Sequence, residues 1–105
     1  MNTGDLEPDW MVGITDPDQV ADFTTVEDWS FKAYRETGAG RVLVFEDTDP
    51  IVVPGADPWA VTVGHHWAAG ETDIEGELWG VPVAVWPGGR PQAFTGATLK
   101  LIDYT

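Results

Sequence analysis

The stretch Trp59-Ala60-Val61-Thr62-Val63-Gly64-His65-His66-Trp67-Ala68 alternates bulky and small side chains without interruption. Successive side chains of an extended chain point to opposite faces. Trp59, Val61, Val63, His65 and Trp67 therefore share one face, with Ala60, Thr62, Gly64, His66 and Ala68 on the other. Large residues backed by small ones predict a strand that forms a wall against a close neighbour. The adjacent histidines must point apart, which predicts one packed ring and one exposed ring.

The two-residue period recurs on both sides of this strand. Residues 78–86 place Trp79, Val81, Val83 and Val85 on one face. Pro82 has no N–H for a ladder and predicts an edge strand, or one that breaks there. Residues 25–35 admit two readings. A helix would start at Thr24 or Thr25, with Glu27 or Asp28 completing a capping box, and would gather Val26, Trp29 and Ala33 on one side. A strand would alternate Trp29, Phe31 and Ala33 with Ser30, Lys32 and Tyr34. A three-residue loop, Gly38-Ala39-Gly40, leading into Arg41–Glu46 favours a hairpin. Ile51-Val52-Val53 lies between turns at 46–50 and 54–58, and the turn at 87–91 leads to strands near 92–95 and 97–103. The fold class expected is mainly β, a small barrel or sandwich of short strands with at most one short helix. Residues 1–9 read as an acidic N-terminal arm and residues 10–105 as a single β-rich domain.

Charge narrows the function. Eighteen acidic residues face five basic ones, a formal charge of −13. Such a surface repels nucleic-acid backbones and anionic membranes and attracts cationic partners. The absence of cysteine excludes disulfides, thiolate metal sites and a cysteine nucleophile. The opening MNTGDLEPDW has neither a basic start nor an apolar run, so no export signal is expected. Ser30 lacks a nucleophile elbow, and an alternating pair of histidines cannot act together on one substrate. Glu71, Asp73, Glu75 and Glu77 alternate acids in a pattern that oxygen-loving cations accept, but without the order of a calcium loop. A solvated acidic edge is the expectation there. Neither catalytic residues nor a cofactor or metal is expected.

Three classes of function fit this composition. Exposed tryptophans with acids suit a carbohydrate-binding module. Carboxylates that imitate phosphates suit an inhibitor of a basic nucleic-acid enzyme, as in immunity or anti-defence proteins. A structural interaction protein would instead use aromatic anchors. Trp59, Trp67 and Trp79 sit in apolar alternation and are expected in the core. Trp10, Met11, Trp29 and Phe31 are the candidate contact residues.

Near the C-terminus, Trp86-Pro87, Arg90, Ala93-Phe94-x-Gly96 and Leu99-x-Leu101 resemble the closing segment of tailed-phage capsid-decoration proteins of the lambda head-stabilising kind. The resemblance covers about a fifth of the chain. It implies a non-enzymatic virion component that bridges capsid or other structural subunits, with an N-terminal arm that orders on the shell. It also implies self-association, commonly as a trimer; the charge balance, separately, argues against direct contact with nucleic acid or membrane. The location implied is the virion, otherwise the cytoplasm.

Overall fold

The computed structural model describes residues 3–4, 6, 8–72, 76–94 and 97–101, with backbone alone at 97, 98, 100 and 101. The strands are β1 (Trp10–Thr15), β2 (Asp28–Thr37), β3 (Gly40–Asp47), β4 (Ile51–Pro54), β5 (Ala60–His65), β6 (Gly76–Val85), β7 (Gln92–Ala93) and β8 (Ala97–Leu101). They form two antiparallel sheets, the mainly β sandwich expected from the periodicity. The small sheet has the order β1-β5-β4. The large sheet runs β3-β2-β6, and β7 and β8 share the far side of β6.

The segment that could have been a helix is a strand. Asp22 caps a single 3-10 turn at Phe23–Thr25, accepting from the Thr24 amide, and no capping box forms. The chain is extended again by Asp28. From there Trp29, Phe31 and Ala33 share one face, as in the strand reading, and that face is the core. Thr37 pairs with Gly40, so the hairpin loop is the two residues Gly38-Ala39, one shorter than expected. Gly40, at φ 111°, takes the conformation that the tight return needs.

β6 decides between the two expectations for Pro82 and corrects the expected core face. It is a central strand, not an edge, pairing with β2 from Leu78 to Val85. The Pro82 carbonyl accepts from Phe94 at 3.0 Å. Its missing N–H must therefore face that same side, in the gap between β8, which ends opposite Gly80, and β7, which starts opposite Val83. The proline breaks the ladder only where two short strands hand over. The bulky face of β6 is also not the core face. Leu78, Gly80, Pro82 and Ala84 point inward and are buried, whereas Trp79, Val81 and Val85 are half-buried on the outside. The small face is inside because Trp10 and Phe31 fill the space above it. A methyl added at Gly80 would stand 2.7 Å from both the Phe31 ring and the Trp10 ring.

The same packing overturns three of the four candidate contact residues. Trp10, Trp29 and Phe31 belong to the core, with Phe31 fully buried. Trp10 meets Phe31 edge to face at 5.2 Å and stacks on Trp67 at 5.7 Å. In a small domain, inward positions go to the largest apolar bodies, and β1 offers only positions 10, 12 and 14. Met11, between them, points out and stays exposed. Trp67 is core as expected; Trp59 is only half-buried, and Trp79 lies outside, with Arg41 5.1 Å above its ring.

Two expectations follow from these contacts. Gly80→Ala drives a methyl into two buried rings and should lower the unfolding free energy by about 1–3 kcal/mol in urea titration. Asp16 accepts backbone N–H bonds from Ala21, Asp18 and Val20, at 2.7, 3.0 and 3.0 Å. These hold its carboxyl below its ordinary value of 3.8. A depressed carboxyl stabilises the fold above its unfolded value and loses that contribution as pH falls through the folded one. The stability difference between the wild type and Asp16→Asn should thus be constant near neutrality and begin to shrink only as the pH falls below 3.8 toward the depressed folded value, read by urea unfolding at stepped pH.

Candidate functional site

His65 ends β5 on the core face, where its alternation with Val61 and Val63 directs it inward. The buried ring stacks on Phe45 at 4.1 Å and meets the edge of Trp67 at 5.5 Å. Its two nitrogens reach carboxylates from opposite sides. Nδ1 lies 2.6 Å from Asp47 Oδ2, at the end of β3, and Nε2 lies 2.7 Å from Glu71 Oε1. Glu71 also accepts the Ala68 N–H at 2.6 Å, which folds the turn after β5 back beneath the ring.

Proton counting limits the chemistry available here. An ionised carboxylate only accepts, so two such hydrogen bonds need two protons within the triad. These belong either to an imidazolium between two carboxylates or to a neutral ring beside one carboxylic acid. In both cases each ring nitrogen is engaged, and none is left to take a proton from a substrate. The carboxylates sit across the ring from each other and do not converge on a point where a cation would bind. Among the described residues no group of three His, Asp or Glu side chains could hold a metal ion. The arrangement is a tie between the large sheet, the small sheet and the turn that follows β5.

His66 points the other way, as the alternation required. It is exposed, and its Nδ1 meets Asp9 Oδ1 at 2.6 Å. Beside it, Trp67 Nε1 donates to the Pro8 carbonyl at 3.0 Å, and the Gly4 amide donates to the Thr72 carbonyl at 2.9 Å. The described part of the N-terminal arm thus lies along residues 66–72 of its own domain.

The acidic series does not form one solvated edge. Glu71 is turned inward to His65, and Glu77 is exposed on β6. Asp73 and Glu75 lie outside the described residues. Of the C-terminal resemblance, Phe94 packs against Phe23 and Trp29, and Leu99 is half-buried against the core. Gly96 and the side chain of Leu101 lie outside the described residues. Sequence reasoning did not find Asp47 or Glu71 as partners of His65. Glu71 was within reach, because Gly70 one residue earlier marks a turn back toward β5. Asp47 carries no local signal, since only the sandwich brings it to His65.

Two surface features complete the site. A groove of about 470 Å³ opens where the four-residue β4 leaves the sandwich uncovered, walled by Phe23, Val26, Trp29 and Val52. Thr24 and Asp57 are its polar side chains, too few and too weakly convergent to define a reaction. The outward face of the small sheet is more unusual. Register places Met11, Gly13 and Thr15 of β1 beside Gly64, Thr62 and Ala60 of β5, with Ile51 and Val53 of β4 beyond. None of these outward positions carries a charge, in a chain with 23 charged residues (18 acidic plus 5 basic). Met11 and Val53 are exposed, and a side chain at Gly64 would collide with Met11.

Comparison of the chain with family models, curated proteins and solved structures returns no match.

Replacing His65 by Ala should leave two carboxylates facing an apolar hole. The cost should be about 3 kcal/mol, the low end for a broken buried pair, because Asp47 and Glu71 keep 19% of their side-chain surface. His66→Ala removes only an exposed pair and should cost under about 1 kcal/mol. Urea unfolding of both variants at pH 7 tests the contrast.

Proposed function

We propose that this protein is a non-catalytic interaction module that docks its small sheet on a structural subunit of a larger assembly. The observation that carries the reading is the uncharged outward face of β1, β5 and β4. In a strongly acidic chain, a contiguous run of apolar and small residues marks a surface meant to lose its water. Small side chains at Gly13, Ala60 and Gly64 keep it flat, and Met11, Ile51 and Val53 supply the apolar area. The charged remainder of the surface repels other copies that approach in the wrong orientation.

The occupant is a shell subunit, on the strength of the C-terminal resemblance to capsid-decoration proteins. A module that binds only the assembled lattice stabilises it by mass action, in proportion to its occupancy. The engaged nitrogens of His65 agree with a role that needs no proton transfer. The contact residues on this reading are Met11, Ile51 and Val53, in place of the buried aromatics.

Co-sedimentation with assembled shells of the virus that encodes the chain tests the proposal. The wild type should pellet at a fixed ratio to the shell subunit, whereas Val53→Lys and Met11→Lys should stay in the supernatant while folding normally. A wild type that ignores the shells would sink it. Binding that instead tracks a basic nuclease, and collapses as salt rises, would replace it with charge mimicry.

A further inference from the structure

The open edge of the large sheet is a different surface, and it carries an inference of its own. Among the described residues β3 pairs with β2 alone. Val42, Leu43 and Val44 are three consecutive apolar residues on this edge, exposed at 51%, 50% and 37%. A free apolar edge is a template for another strand, and folded proteins usually block such edges with charge or proline. Here the block is partial and has a particular form.

The register of β3 against β2 slips once. Ala33 faces Phe45 and Tyr34 faces Leu43, so Val44 is an extra, bulged residue. Residues 41 and 46 are five apart and would point to opposite faces of a regular strand. The bulge brings both to the outward face, where Arg41 pairs with Glu36 and Glu46 with Lys32. The edge therefore carries a cation and an anion on one face, at either end of an apolar run whose Leu43 shares that face.

We propose that β3 pairs antiparallel with β3 of a second copy about a two-fold axis between Leu43 and Val44. This register sets Leu43 opposite the partner's Val44, Val42 opposite the partner's Phe45 and Arg41 opposite the partner's Glu46. The charges are self-complementary, so both ends of the seam close on an opposite pair. A strand of uniform charge, acidic or basic, would meet a like charge at one end, which is why the occupant is a second copy. Arg41 can serve both Glu36 and the partner's Glu46, because a guanidinium presents five N–H donors. The seam is locally neutral, and the repulsion between two chains of −13 is screened beyond roughly 8 Å at physiological salt.

Sedimentation velocity over a micromolar to submillimolar range at physiological salt tests the seam. The wild type should shift from a mass of 11.4 kDa toward twice that value as concentration rises. Arg41→Glu and Glu46→Arg should each remain monomeric, because they place like charges at both ends. The double exchange, R41E with E46R, should dimerise again. Leu43→Lys blocks the edge without touching either ion pair; it should be monomeric with an unchanged circular dichroism spectrum, which covers any folding defect of the charge variants. A wild type that stays monomeric, a Leu43→Lys variant that still dimerises, or a double exchange as dissociated as the folded single variants would each overturn the proposal. Val53→Lys should leave the dimer intact, so loss of shell binding and loss of the seam are read separately.

Discussion

Two rings set against one glycine hold this sandwich together. Trp10 comes from the small sheet and Phe31 from the large one, and their edge-to-face contact at 5.2 Å fills the space above Gly80. Everything else in the core is arranged around that contact. Trp67 stacks on Trp10, Phe45 on His65, and a second aromatic group (Phe23, Trp29, Phe94 and Trp86) closes the far end. Aromatic bodies suit so short a chain because each removes a large apolar area from water for few residues. The consequence for function is direct: the tryptophans that composition offers as anchors are largely spent inside.

Polar closure follows from the same economy. A ring placed between two sheets at the end of β5 has nitrogens that water cannot reach, and both need partners. Asp47 and Glu71 provide them, and Glu71 ties its own turn by accepting the Ala68 N–H. A histidine in a reactive site keeps one nitrogen toward a substrate. One held from both sides resembles a structural pin, and its charge partners are consumed in holding it.

The sequence made the strands legible and left their surroundings hidden. Alternation at Val61, Val63, His65 and Trp67 marked the buried face because that side of the strand is larger and apolar; at Trp29, Phe31 and Ala33 it showed the shared face, but the two aromatic rings were read as contacts and are core. The rule failed on β6, where the larger side faces out. Size alone cannot say which face is covered, because a neighbouring Trp10 and Phe31 can demand small partners. Pro82 was read as a sign of an edge or of a break, and which of the two holds depends on the neighbour it faces, a fact of topology. For the site, the opposite directions of His65 and His66 were readable from spacing. The partnership with Asp47 was not, because it joins residues 18 apart in sequence through the packing of two sheets.

High charge and bare apolar surface pull in opposite directions in one small protein, but each makes the other tolerable. A neutral chain with an exposed Val42-Leu43-Val44 edge and an uncharged sheet face would associate with whatever approached it. Thirteen net negative charges raise the free energy of every unspecific encounter between copies, and only a surface that offsets that repulsion with matched contacts can stay bound. The outward face of the small sheet can do so by area alone, against a partner that is not acidic. The edge at β3 cannot rely on area, because it is a single strand. In the proposed seam the bulge at Val44 matters most: by setting Arg41 and Glu46 on one face it gives the edge a charge order that its own antiparallel copy complements.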